Sequence, residues 1–179
     1  MIQIQPFDDF TSLMVFRQLD PHDKMEAEMV RGTTASHLAL WADWRMAQAH
    51  GVVSHILALD AAQGGHPFAV LVLGNTGQAG VAQAAMLSRN HTKFRHALIL
   101  AAIRIKREMP AFCADVGIHR IEARCWHDHP TAAKFLTAVG FNCEANMPGF
   151  GGHGNTSFDQ FAWTNPDLKG DHHVRSKST

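Results

Sequence analysis

The chain contains no tyrosine, and cysteine is rare, with Cys113, Cys125 and Cys143 as the three thiols among 179 residues. Three scattered cysteines are too few for a disulfide framework, so we expect a reducing compartment. No stretch approaches the roughly 20 consecutive apolar residues that span a bilayer, and the N-terminus lacks the pattern of a signal peptide. These absences predict a soluble protein that is not secreted and has no membrane-spanning segment.

An excess of charge of either sign is also lacking, because 16 basic residues balance 16 acidic ones. Nucleic-acid binding needs a concentrated basic face, so the balance argues against nucleic acid as a partner. The length and an apolar fraction of 46% favour one domain with one core. We expect that domain over residues 1–166, followed by a polar tail over 167–179 that is mobile.

The N-terminal part of the chain is predicted to form one strand and three helices. Isoleucines alternate with glutamines over residues 2–5, which is typical of a strand. The helices are predicted to begin at Asp8 or Asp9, at Asp20 with Pro21, and at Thr33 or Thr34. Gly32 is expected to end the second helix, and Gly51 the third.

The remainder changes to strands joined by short turns and interrupted by two helices. Strands are predicted at Val52–Leu59, Pro67–Leu73, Val81–Leu87, His119–Trp126, Asn142–Asn146 and Ser157–Trp163. Helices are predicted at Lys93–Met109, stopped by Pro110, and at Pro130–Val139, ended by Gly140. Short turns imply antiparallel hairpins and a helical connection implies a parallel crossover. The fold class is therefore α/β (α+β), with a mixed, mostly antiparallel central sheet and helices on both faces.

The segment 129–141, HPTAAKFLTAVGF, follows a predicted strand and runs through a helix into Gly140 and Phe141. Together with the element order, it resembles the second core motif of the GNAT superfamily of N-acetyltransferases. An ordinary strand–helix–strand crossover is the alternative explanation. The resemblance implies a GNAT-like fold and, in its active members, acyl transfer from acyl-CoA to an amine.

A closer resemblance is to the GNAT-like proteins of short-tailed bacteriophages, of the internal virion protein A type. It spans most of residues 10–163 and implies action through contacts with other virion or phage proteins. The implied location is the host cytoplasm during assembly, or the virion itself. The residues that carry it are Arg17-Gln18-Leu19-Asp20, Glu26 or Glu28, Lys93-Phe94-Arg95, and Lys134-Phe135-Leu136 before Gly140.

The family's cofactor loop is altered in this sequence. GNAT enzymes bind the acyl-CoA pyrophosphate on backbone amides at a helix start, in the pattern Gln/Arg-x-x-Gly-x-Gly/Ala. Thr92 and Phe94 stand where glycines are expected, and the Phe94 side chain must pack away before a phosphate can approach. Charge from Arg89, Lys93 and Arg95 would partly compensate, although an ordinary solvated helix start also explains these residues. The implied cofactor residues are Arg89, Asn90, His91, Thr92, Lys93 and Phe94.

The catalytic acid is also missing. Many GNAT enzymes use a tyrosine four residues before the motif glycine, and Leu136 occupies that position here. His129 and Ser88 are weak substitutes, since a residue of either kind is more often a surface or capping residue than a catalytic one. The leading hypothesis is therefore a GNAT-like protein with a degenerate active site, acting through protein contacts. An active acyltransferase that uses acetyl-CoA is the alternative.

Two further patterns in the sequence each have more than one explanation. Cys125, His127 and His129 share a face if the strand continues, but Pro130 ends it and no fourth ligand has motif spacing, so no metal is assigned. Trp41 and Trp44 lie on one side of a helix, as either a partner-binding surface or part of the core.

Overall fold

The computed structural model describes residues 1–48, 50–63 and 65–166 and contains a seven-stranded mixed sheet in the order β1-β2-β3-β4-β5-β7-β6. The strands are β1 (Ile2–Pro6), β2 (Gly51–Leu59), β3 (Pro67–Asn75), β4 (Val81–Ser88), β5 (Arg120–Trp126), β6 (Asn142–Gly151) and β7 (Thr156–Thr164). Strands β4 and β5 are parallel, and the other neighbouring pairs are antiparallel. The predicted fold class and the antiparallel β2–β3–β4 group are confirmed.

The helices are α1 (Asp9–Phe16), α2 (Pro21–Arg31), α3 (His37–Gln48), α4 (Arg95–Asp115) and α5 (Ala132–Val139). Gly32 and Gly140 end α2 and α5 in the left-handed conformation, with φ of 79° and 111°, as their positions predicted. The third helix begins later than Thr33 or Thr34, because the Ser36 hydroxyl accepts the Ala39 N–H.

Helix α4 does not stop at Pro110, and this prediction was wrong. The helix passes through the proline and continues to Asp115. Proline removes one intrahelical hydrogen bond. The continued burial of Met109 and Cys113 against the sheet compensates for that loss.

The core has a layer on each face of the sheet. On one face, Phe16 of α1 and Trp44 of α3 pack against Ile56 and Val70. On the other, α4 and α5 cover β5 and β7. Trp44 is therefore a core residue, and its ring lies 5.8 Å from that of Phe16 in an edge-on contact. Trp41 is half-buried and donates its indole N–H to the Ser12 hydroxyl, so neither tryptophan is an exposed anchor.

The predicted polar tail, residues 167–179, lies outside the described residues. Within the described part of the chain, no helix combines the length and the apolar character needed to cross a bilayer.

Candidate functional site

Strands β4 and β5 diverge along their length and open a cleft in the sheet. They pair only where Val81–Ala84 faces Arg120–Ala123. Beyond this point β4 stays paired with β3, and β5 stays paired with β7. The two facing strand edges therefore separate toward Ser88 and Trp126. A cavity of about 1030 Å³ extends from this divergence, and apolar side chains of both strands and of α4 and α5 line it.

Helix α2 closes the mouth of this cleft with carboxylates. Asp20, Asp23 and Glu26 are three residues apart and share one side of the helix. Asp23 Oδ2 accepts the backbone N–H of Ser88 at 2.6 Å and its hydroxyl at 3.1 Å. Glu26 Oε2 accepts the backbone N–H of Trp126 at 2.9 Å. The helix thus bridges the ends of the two diverging strands.

Asp20, at the cap of α2, binds the loop between β4 and α4. Its Oδ2 accepts the backbone N–H of His91 at 2.9 Å, and its own N–H donates to the Ser88 carbonyl at 2.9 Å. An antiparallel bridge between Leu19 and Arg89 adjoins this contact. The segment that leads into α2 therefore pairs with the end of β4, along the edge that faces β5.

Two histidines converge on Asp23 inside the cleft. Asp23 Oδ1 lies 2.9 Å from His91 Nε2 and 3.1 Å from His129 Nε2. Burial alone raises the pKa of Asp23, but hydrogen bonds from His129, His91 and the Ser88 N–H overcome it and lower the pKa to about 2. Burial alone lowers the pKa of His91, while the hydrogen bond to Asp23 and its charge produce a net rise. The contact between Asp23 and His91 therefore favours an ionised Asp23 carboxylate and a protonated His91 imidazolium.

The ligand atoms of Asp23, His91 and His129 lie within 4.8 Å of one another, and the hydrogen bonds of His129 favour a hydrogen-bonded network over a metal site. Its Nδ1 accepts the N–H groups of Ala132 at 3.0 Å and Thr131 at 3.3 Å, so the ring proton lies on Nε2 and is donated to Asp23. A metal-bound histidine instead donates its other ring N–H to an acceptor. Asp23, His91 and His129 therefore form a hydrogen-bonded network.

The pattern Cys125, His127 and His129 does not converge. The strand ends at Trp126, and His127 turns outward to place Nδ1 2.9 Å from Asp159 Oδ2. His129 points inward to Asp23. The alternating geometry on which that pattern depended does not extend past the strand.

Glu26 is the carboxyl group in the cleft with the opposite pKa shift. Burial raises the pKa of Glu26 to about 7, against the smaller lowering effects of the Trp126 N–H and of His129. The charge of Asp23 adds to the rise. Glu26 therefore titrates near neutral pH, where the Asp23 carboxyl is ionised.

The loop aligned with the family's pyrophosphate-binding pattern uses most of its amides internally. Four of the six backbone N–H groups over Arg89–Phe94 already have acceptors within the chain. An anion would have to compete for these donors. The four are Arg89, bound to the Phe68 carbonyl; His91, bound to Asp20; and Lys93 and Phe94, bound to the side chain and carbonyl of Asn90.

The Phe94 side chain does not obstruct the loop. It is buried, and its ring stacks on that of Phe68 with centroids 5.8 Å apart. The Arg89 guanidinium also has partners within the chain, because it donates to the Pro67 carbonyl at 2.7 Å and to the Gln18 side chain. Thr92 and Lys93 are exposed. The contact that the N-terminal end of α2 makes with this loop is the hydrogen bond from the His91 N–H to Asp20.

The weak catalytic candidates His129 and Ser88 do meet, since both contact Asp23. Leu136, at the position of the family's tyrosine, is half-buried against the core. The sequence did not indicate Asp23 as a site residue, nor the contact between the His91 ring and Asp23. The signal available was the spacing Asp20, Asp23 and Glu26 on one side of α2, which is also typical of a solvated helix face.

Solved structures with a similar architecture include acetyltransferases, one of which is described as a member of the GNAT family. A GNAT-family acetyltransferase from Bacillus anthracis matches with a TM-score of 0.67 and 11% identity, covering 92% of this chain and 95% of that one. Spermidine N-acetyltransferase from Vibrio cholerae, solved with CoA and spermine, matches at 0.65 and 8% identity, with coverages of 92% and 95%. Aminoglycoside acetyltransferase AAC(6')-Ib, solved with coenzyme A, matches at 0.65 and 11% identity, again covering 92% and 95%.

The chain therefore has the GNAT acetyltransferase fold. No protein-family model and no curated protein matches it. At these identities the likeness establishes the fold, while the activity must be argued from the cleft itself.

Proposed function

We propose that this chain is a GNAT-fold protein with a degenerate acyl-CoA site, which acts through contacts with other proteins. The observation that carries the proposal is the hydrogen bond from the His91 N–H to Asp20. This amide lies in the loop where the family resemblance places the acyl-CoA pyrophosphate. A carboxylate of the chain itself occupies the donor that the phosphate would use.

Electrostatics supports the same conclusion. Burial alone raises the pKa of Asp20, but the N–H groups of His91 and His22 lower it, and the pKa of Asp23 is also low. Both carboxylates are thus ionised at neutral pH beside the position proposed for an anionic pyrophosphate. Displacing Asp23 would leave a buried charge and the Ser88 donors unpaired, at about 1–3 kcal/mol for each buried polar group.

The proposed setting is the assembly of a phage particle or a place within it, with other virion or phage proteins as partners. The resemblance to internal virion proteins supports this setting, and Asp20, one of the residues that carry it, binds the loop at the cleft. Exposed apolar side chains on α1 and α3 are suited to protein contacts, with Phe10 78% and Met46 75% exposed.

Thermal unfolding with acetyl-CoA, together with an amine acetylation assay, tests the proposal. A ligand at a hundred times its dissociation constant adds about 2.7 kcal/mol of stability. We expect no rise in Tm at sub-millimolar acetyl-CoA and no transfer to amine acceptors. The aminoglycoside acetyltransferase is the positive control in both assays. A clear rise in Tm accompanied by turnover would contradict the proposal.

Glu26 favours one alternative, an active acyl-CoA-dependent N-acyltransferase with an altered cofactor loop. A carboxyl group with a pKa of about 7 at the cleft is suited to accept a proton from an attacking amine. This alternative predicts acetyl transfer that the Glu26→Gln variant abolishes. Glu28→Gln, on the same helix, is the matched control and should retain the activity.

A further inference from the structure

Helix α2 is attached to the protein mainly through polar contacts. Along α2 the one buried residue is the charged Asp23, Ala27 is partly buried against the core, and Met25 and Val30 are exposed. Apolar burial, which anchors most helices, therefore contributes little here. A helix held by hydrogen bonds and charges, with little apolar area, can open locally at a small fraction of the global unfolding free energy.

Contacts at both ends attach α2 to the rest of the protein. Its N-terminal half is held by the contacts of Asp20, Asp23 and Glu26 with the cleft. Its C-terminal end is held where the ring of His153 contacts the Gly32 carbonyl. His153 has a φ of 56°, in the left-handed region that few residues other than glycine adopt.

Titratable groups from several elements meet at the N-terminal attachment. Asp20 and Asp23 of α2 lie within hydrogen-bond distance of polar groups in the rest of the protein, and the Glu26 carboxylate accepts the Trp126 N–H. The titratable groups at this attachment are Asp20, His22, Asp23 and Glu26 of α2, His91 of the β4–α4 loop, Cys125 of β5, and His129 of the β5–α5 connection.

From this geometry we propose that α2 is a reversible plug, which holds the cleft closed near pH 6 and loosens as the pH rises toward 8. The proposal rests on the occupation of the cofactor groove by α2 described above, and it adds a mode of regulation. Loosening exposes the amides of Ser88, His91 and Trp126 and the apolar cleft behind them.

The direction of the pH effect follows from which groups bind protons more tightly in the docked state. Burial raises the pKa of Glu26, and the Asp23 carboxylate raises that of His91 against the effect of burial. Both groups therefore favour docking at lower pH, and this advantage is lost as the pH rises through their raised values. Asp20 and Asp23 have lowered pKa values, and their contribution is lost only at acid pH.

Glu26 sets the expected size of the effect. A rise in its pKa from 4.5 to about 7 on docking weakens docking about tenfold between pH 6 and pH 8. His91 acts in the same direction and adds to this effect.

Hydrogen exchange of individual amides, measured by NMR without any ligand, tests the plug. The reporters are the Ser88, His91 and Trp126 amides, which the carboxylates of α2 accept. The Arg89 amide is a control within the same segment, because it donates to the Phe68 carbonyl of β3. We expect protection factors of the three reporters, corrected for intrinsic exchange, to fall about tenfold or more from pH 6 to pH 8. The protection factor of Arg89 should change little.

Variants separate the plug from a general loosening of the fold. Glu26→Gln keeps an acceptor for the Trp126 N–H without a titrating proton, so Trp126 should lose clearly less protection between pH 6 and pH 8 than in the parent, and the remaining loss comes from His91. Glu28→Gln should lose protection as the parent does. His91→Gln, which removes the imidazolium, should lower the protection of Ser88 at pH 6.

The proposal would be overturned if the protection factors of Ser88, His91 and Trp126 did not depend on pH. It would also be overturned if Glu26→Gln lost as much Trp126 protection as the parent. Because acetyl-CoA is absent from the measurement, this outcome is separate from the outcome of the acetyl-CoA test.

Discussion

Replacing Asp23 with asparagine should destabilise the protein by about 2 kcal/mol at neutral pH. The carboxyl is buried, and its pKa falls from 3.8 to about 2 in the folded protein. Each unit of difference corresponds to about 1.4 kcal/mol, so the ionised side chain stabilises the fold by about 2 kcal/mol. Asparagine keeps the size and one acceptor oxygen but loses the charge that His91 and His129 contact.

The pH dependence of this loss has a definite sign. A group whose pKa is lowered by folding contributes fully above its unfolded value and loses that contribution as the pH falls toward the folded value. The difference between the parent and Asp23→Asn should therefore be largest at neutral pH and should shrink between about pH 4 and pH 2.

Urea unfolding, followed by circular dichroism at several pH values, measures the difference. Asp43→Asn is the matched control, because Asp43 forms an exposed ion pair with Arg31 and should change stability by less than about 0.5 kcal/mol. An Asp23→Asn variant as stable as the parent at pH 7 would refute the assignment of a buried charged network.

The loop between β4 and α4 yields two further predictions, both measured by urea unfolding. Phe94→Ala should lower the free energy of unfolding by about 3–5 kcal/mol, because it removes a buried ring stacked on Phe68; a loss below about 1 kcal/mol would contradict that packing. Arg89→Ala should destabilise by about 1–3 kcal/mol, since its guanidinium binds the Pro67 carbonyl, whereas exposed Lys93→Ala should change little; equal effects would show that Arg89 does not hold the strand end.

The elements that could be predicted from sequence are those whose signals are local. Gly32 and Gly140 end helices because only their left-handed backbone suits those positions, and this requirement is visible in the sequence. The hairpins of β2, β3 and β4 were found because short turns separate runs of β-forming residues.

Tertiary packing decided the cases that local patterns misjudged or left open. Pro110 is a helix breaker by local rules, yet burial of Met109 and Cys113 holds α4 together across it. Trp44 has a spacing compatible with an exposed or a buried role, and only its contact with Phe16 resolves the choice. Phe94 has its own pocket beside Phe68, which no local pattern indicates.

The site was harder to predict than the fold because its members lie far apart in the chain. Asp23 meets His91 and His129 only because α2 crosses the cleft where β4 and β5 diverge. Acidic residues at three-residue spacing are typical of a solvated helix face. Whether such residues are buried depends on the tertiary fold, which the local pattern does not show.

An NMR titration with acetyl-CoA, following the backbone amides of Ser88 and His91, tests the central claim most directly. These amides report both on binding and on whether the carboxylates of Asp23 and Asp20 are displaced. The proposal predicts no saturable shift of either resonance up to about 1 mM acetyl-CoA, which corresponds to a binding free energy weaker than about −4 kcal/mol. Saturable shifts of both amides at lower concentrations would show that the cofactor enters the groove, and would contradict it.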